Sequence, residues 1–329
     1  MTLFLLLMSA SAGAQSRAGK PSAPRTPWGH PDLQGVWNYW TFTPLERASE
    51  FANRPELTDE EASRVAQQLH QRALQTDQSG PARGDTGAYS QEVWTDRAVP
   101  RALKQSSLIV DPPDGKIPPL TPEALKSAEA HRAAGGHPVR IRTGGIGADG
   151  PEDRGVAERC ILGFSTGPPM LPAGYNNNIH LFQTPDHVAI LLEMNHDARI
   201  VPIDGRGHLP DSLQQWMGNA RGHWEGNTLV VDTTNFTDKT ASFSLTGLAL
   251  GSARRLHLVE RFTRVDADTL QYEFTINDPA TFARPFTGRF PMKLTREPMY
   301  EYACHEGNYG MLNMLSGARA EERRPSQGK

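Results

Sequence analysis

The pattern of apolar and polar positions divides the chain in two. From about Tyr175 onward, short runs recur with turn residues between them: NIHLFQT, HVAILLEM, RIVPID, TLVVDTTNF, LHLVERFTRV and TLQYEFTI. Such runs, bounded by turn residues, are the pattern of β-strands. Asn195-His196-Asp197-Ala198, Glu225-Gly226-Asn227 and Asp266-Ala267-Asp268 predict hairpin turns. An earlier strand is predicted in HPDLQGVWNYWTFTPLE: Val36, Asn38, Trp40 and Phe42 share one face, and Trp37, Tyr39 and Thr41 the other. The expected fold is mainly β: an antiparallel meander closed into a barrel, which the G-x-W strand completes.

The intervening stretch changes period. Ala62, Val65, Ala66, Leu69 and Ala73 keep helical spacing behind a Thr58/Glu61 capping box. Thr121 and Pro122 open a second helix as N-cap and first helical residue, and Gly135 lies near its end. These predict a helical insertion over about residues 55–140, packed over the barrel of one domain spanning residues 31–318. A division near residue 150 is the two-domain alternative. The polar tail, residues 319–329, is expected to be disordered.

Leu3 to Met8 form a short apolar run, and Ala12-Gly13-Ala14 follows the A-x-A pattern of a cleavage site. The expectation is an export signal over residues 1–14 and a linker over 15–30. The run is too short to span a bilayer. The two cysteines, Cys160 and Cys304, then predict one disulfide, with free thiols or shared metal ligation as alternatives. A bridge would bring Arg159 near His305 and Glu306. A net charge of −3 gives no general pull toward nucleic acid or anionic membrane. The 26 prolines and 30 glycines fit a loop-rich β protein.

GIGADG (residues 145–150) matches a dinucleotide fingerprint only in its glycines, since Pro151 and charged residues follow where a helix should open. No P-loop, H-E-x-x-H or G-x-S-x-G motif is present. Chemistry concentrates instead in three segments. The first carries Glu193, His196, Asp197, Arg199, Asp204 and His208; the second Arg221, His223 and Glu225; the third His305 and Glu306. Neutral histidine suits a general base, a carboxylate orients it, and arginine stabilises developing negative charge. His196 or His223 is therefore the candidate base, Glu193 or Asp204 the orienting or acid group, and Arg199 or Arg221 the anion stabiliser. His305 and Glu306 rank second. Acids on otherwise apolar strand faces, Glu260, Asp232 and Glu193, would line a cavity if those faces point inward.

The stretches PDLQGVW, DPPDGKIPPLTPEA, ERCI, EMNHDARIVPIDGRGH, RGHWEGNTLVVDTTNF, LHLVERFTR and YEYACHEGNY resemble a family of exported bacterial proteins. That resemblance implies export and carries no activity. The G-x-W strand and the meander are also similar to calycin-like (lipocalin-type) barrels, which include carriers and enzymes. The expected function is an exported lyase, isomerase or hydrolase acting by acid–base chemistry on a small, largely apolar or aromatic molecule. Trp37, Trp216 and Trp224 would hold the apolar body. The alternatives are a non-catalytic carrier of a hydrophobic ligand and a Zn or Cu protein using His196, His208, His223 and His305. No organic cofactor is expected.

Overall fold

A computed structural model of the chain describes residues 23–78, 103–127, 139–142, 144–164, 166–245 and 248–324. The expected export signal, the first half of the linker and parts of the helical insertion lie outside these residues. The strands are β1 (Gly35–Asn38), β2 (Ile109–Asp111), β3 (Asn178–Gln183), β4 (His187–Leu192), β5 (Ala198–Pro202), β6 (Asn219–Glu225), β7 (Thr228–Thr234), β8 (Phe243–Leu245), β9 (Leu248–Leu250), β10 (His257–Arg264), β11 (Thr269–Asn277) and β12 (Phe286–Thr295). Among the described residues the helices with complete bounds are α1 (Asp59–Gln78) and α2 (Tyr309–Glu322), and residues 122–127 are also helical behind Thr121, whose Oγ1 accepts from Ala124 N at 3.1 Å.

Ten strands form one antiparallel sheet in the order β5-β4-β3-β1-β12-β11-β10-β7-β6, with β2 added beside β12. β8 and β9 form a separate hairpin. The G-x-W strand takes the expected place, between β3 and β12. All three expected hairpin turns lie between paired strands.

The expected closed barrel does not form. The edge strands approach, and a Cβ on Gly222 of β6 would lie 2.5 Å from Ile203 Cγ2 and 2.9 Å from Val201 Cγ1. Side chains thus occupy the seam where a ladder would have to run, and among the described residues no ladder joins β5 to β6.

The inner face is packed with protein. Trp37, Tyr272, Phe262, Phe274, Phe286 and Phe290 are fully buried there. Trp37 is not a ligand-lining residue as expected: its indole donates to Leu33 O at 2.9 Å, and Arg264 lies 4.5 Å over its ring. Arg264 also donates to Asp32 O at 2.7 Å, so the segment before β1 seals one end of the sheet. Trp224 stacks on His30 with ring centroids 4.8 Å apart.

Glu260 shares the inner face with Leu258 and Phe262, as its strand spacing predicted. It meets no ligand. Arg199 reaches across from β5 and grips both its oxygens, and the Tyr272 hydroxyl donates to Oε1 at 2.8 Å. Arg199, proposed as an anion stabiliser for substrate, serves a buried protein carboxylate instead. Burial opposes its charge, but Glu260 outweighs burial and holds the guanidinium above its ordinary value. The Tyr272 phenol is pushed well up, by burial first and by Glu260 second.

The capping box of α1 is formed in both directions, Glu61 N donating to Thr58 Oγ1 at 3.2 Å and Thr58 N to Glu61 Oε2 at 2.9 Å. The tail is ordered farther than expected: α2 continues to Glu322. Ala318 and Ala320 favour helix, and Arg319 pairs with Glu322 at 2.6 Å while donating to Ala148 O at 3.1 Å.

Cys160 and Cys304 are disulfide-bonded across a sequence separation of 144. Beside the bridge, Asn308 Nδ2 donates to Glu158 O at 2.9 Å. Replacing both cysteines by alanine should lower the unfolding free energy by about 2–4 kcal/mol through the freed unfolded chain. Urea unfolding checks this; an unchanged midpoint and slope would show that the bridge contributes nothing.

Candidate functional site

Strand direction sorts the candidate residues. Neighbours are antiparallel along the whole order, so β4 and β7 run the same way. β4 leaves through the 193–197 turn at one end, whereas β7 enters from the 226–227 turn at the other. The three expected segments therefore do not share one mouth. His223 sits on the exposed hairpin arm with Glu225 at 3.1 Å, and Arg261 completes a surface cluster there by reaching Glu225 at 2.5 Å. Asp204 is engaged by Arg206, its neighbour two residues on, and reaches neither histidine cluster described below.

At the first end, the disulfide brings the 304–306 segment toward the β4–β5 turn. Asp197 there is half-buried, which raises its carboxyl, while His305 and then His196 pull it back down. His196 and His305 are thus brought together around Asp197, and both are exposed, as is Glu306. Glu193 is not part of this group. It leaves β4 in a helical conformation and folds back onto β3, accepting from Asn178 N at 3.1 Å and Nδ2 at 2.9 Å.

The most completely defined polar cluster lies on the outer face of β6, β7 and β10. Asp232 is in register with Arg221 of β6 and Val259 of β10, which places these side chains on one face. Of the two orientations open to Asp232 it takes the outward one, since Val231 and Thr233 hold the inner face. His208 Nε2 lies 2.7 Å from Asp232 Oδ1, and His257 Nε2 lies 2.5 Å from Oδ2. One carboxylate thus bridges two imidazoles.

The long β5–β6 connection is built to hold His208 in this place. Asn219 Oδ1 accepts from Leu209 N at 3.0 Å and faces His208 Nδ1 at 3.4 Å. Asn235 has φ +57° and donates through Nδ2 to the carbonyls of Leu209, Pro210 and Leu213. Arg221 donates to Gly207 O at 2.7 Å and to Ala220 O at 2.8 Å, and among the described residues no carboxylate pairs with it. His257 Nδ1 has no hydrogen-bond partner among the described residues and remains open to a ligand.

Half-burial would raise the Asp232 carboxyl, but His257 and then His208 outweigh it and hold it below its ordinary value. The hydrogen bond to Asp232 raises His257 above its ordinary value, against partial burial. The Asp232 contribution to stability is present above its ordinary value of 3.8 and fades as pH falls through the lowered one. The His257 contribution is present below its ordinary 6.5 and fades as pH rises through the raised value. The stability gap between wild type and Asp232→Asn should therefore be widest between those ordinary values and shrink on both sides. Urea midpoints across pH measure it, and a gap independent of pH would refute the linkage.

The four histidines of the alternative metal reading do not come together. His196 and His305 lie around Asp197, His208 on Asp232 and His223 on Glu225. Among the described residues no three His, Cys, Asp or Glu side chains form a metal-holding group. His208 was singled out within the first polar segment but given a role only as a metal ligand, and His257 was missed. Its signal was available: His257, the second residue of LHLVERF, lies on the face opposite Glu260, the face to which Asp232 also belongs. Compared with protein-family models the chain matches none, and no curated protein matches it in sequence.

Proposed function

We propose that the protein is an exported acid–base enzyme acting on a small organic molecule, with His257 as its proton-transfer residue. One observation carries this reading: His257 is fixed through Nε2 on Asp232 while Nδ1 stays open. A histidine held in this way presents one nitrogen to substrate in a set orientation. The hydrogen bond to Asp232 favours the protonated ring, which suits it to donate a proton. Asp232 orients the ring and balances its charge. His208 shares that carboxylate, and Arg221 supplies positive charge beside it for negative charge developing on the substrate. Lyase, isomerase and hydrolase reactions all use such a donor. Export is supported by the disulfide and by the apolar run at Leu3 to Met8.

The test is turnover across a panel of small esters, lactones and hydroxy acids, comparing wild type with His257→Gln and, as control, His223→Gln at the opposite end of the sheet. The reading requires loss in the first variant alone. Equal turnover in all three proteins would overturn it.

A carrier reading has one specific support elsewhere in the fold. A cavity of about 150 Å³ lies between α1 and the segment after β1, lined by Phe42, Phe51, Leu57, Val65, Leu69 and Leu103. An apolar cavity of this size accommodates a benzene-sized guest. Saturable binding of such a guest, with no turnover of any panel substrate, would favour the carrier.

A further inference from the structure

Among the described residues four arginines are buried, and three of them are well partnered. Arg199 grips Glu260. Arg47 donates to Ser106 Oγ, Ala52 O and Pro113 O. Arg264 donates to Asp266 O, Asp32 O and Ala267 O. Arg142 is different. It is only 8 % exposed, and its one hydrogen bond among the described residues goes to Gly163 O, an oxygen that Thr166 also uses. No described carboxylate lies within ion-pairing distance of it.

A guanidinium has five N–H donors, and burying its charge without a partner is costly. Burial lowers this group to about 10, with Tyr39 opposing, so it remains a cation at neutral pH. Its backbone is firmly held, since Ala157 N donates to Arg142 O at 2.7 Å and Val156 N to Ile141 O at 3.0 Å. Arg199 Nε is sealed from solvent without a partner, whereas no Arg142 nitrogen is sealed in that way. The place is also defined in the fold. Gly163 packs on Met194 of the β4–β5 turn, where a Cβ would lie 2.5 Å from Met194 Cγ.

We infer that Arg142 is the anchor of an anion-binding site that takes a small monoanionic carboxylate. A single guanidinium matches one negative charge, and its planar fork matches the two oxygens of a carboxylate. The site is separate from Asp232 and stands independently of the acid–base reading.

The test uses the full chain in a buffer of low anion content, with acetate, benzoate, phosphate and chloride as probes. Acetate or benzoate should raise the melting temperature of wild type saturably, and Arg142→Gln should abolish that rise. Because glutamine removes an uncompensated charge, Arg142→Gln should also melt no lower than ligand-free wild type, whereas a purely structural arginine would give a lower value. Isothermal titration of wild type with acetate gives an arm that needs no variant. Absence of saturable carboxylate binding would overturn the inference, as would an equal rise in Arg142→Gln or a response to phosphate or chloride alone.

Discussion

Truncating Glu260 to alanine should lower the unfolding free energy by about 3–5 kcal/mol, among the largest single losses in the molecule. Arg199 would then be left buried among apolar side chains with no counter-charge, and that orphaning dominates the cost. The Tyr272 hydroxyl would lose the acceptor it now reaches at 2.8 Å. Arg199→Ala should cost a similar amount by stranding the carboxylate. The two changes are strongly coupled, because a double replacement by apolar residues of similar volume removes both charges and recovers most of the loss. Urea unfolding of the four proteins measures the coupling. Strictly additive losses, or single losses under about 1 kcal/mol, would mean that the pair is not sealed from water.

His257→Gln should cut turnover on any panel substrate by about 10²–10⁴-fold, the usual contribution of a positioned proton donor. Its side chain is 42 % exposed, so folding should be little disturbed. Asp232→Asn should also lose activity while keeping the carboxamide in place, since an amide neither balances the imidazolium charge nor accepts from both rings. Its remaining activity should shift to lower pH as the support for the His257 proton is removed. His223→Gln, whose ring sits with Glu225 and Arg261, should be indistinguishable from wild type. A loss of turnover with unchanged melting in His257→Gln separates chemistry from stability.

The meander was legible because its strands carry the period-two code cleanly. LHLVERF announces its inner face through Leu258, Glu260 and Phe262, and that face is the one buried. The helix start at Thr58 was equally plain, because a capping box is a local chemical device. β12 was missed because Gly288 and Pro291 interrupt its pattern; glycine and proline weaken a strand signal even though this strand lies inside the sheet. Barrel closure was not legible either. It depends on the seam at Gly222, Val201 and Ile203, a meeting of distant segments that no local pattern encodes.

The polar cluster was half legible for the same reason. Asp232, His208 and Arg221 were singled out by residue type, yet their assembly with His257 depends on strand order and on the β5–β6 connection folding back. The sequence pattern placed Asp232 with apolar neighbours, and the outward face of β7 placed it with histidines. Conversely, Arg199 and Glu193 carried the right chemistry for a site and were spent on internal structure, one across the core and the other on Asn178.

The most direct measurement is a proton NMR titration of the His257 ring in wild type and in Asp232→Asn, with His257→Gln used to assign the resonance. Wild type should titrate above the ordinary histidine value of 6.5, and Asp232→Asn should fall back toward or below it because only partial burial remains. A His257 ring that titrates at the ordinary value in both proteins would contradict the Asp232-held proton donor.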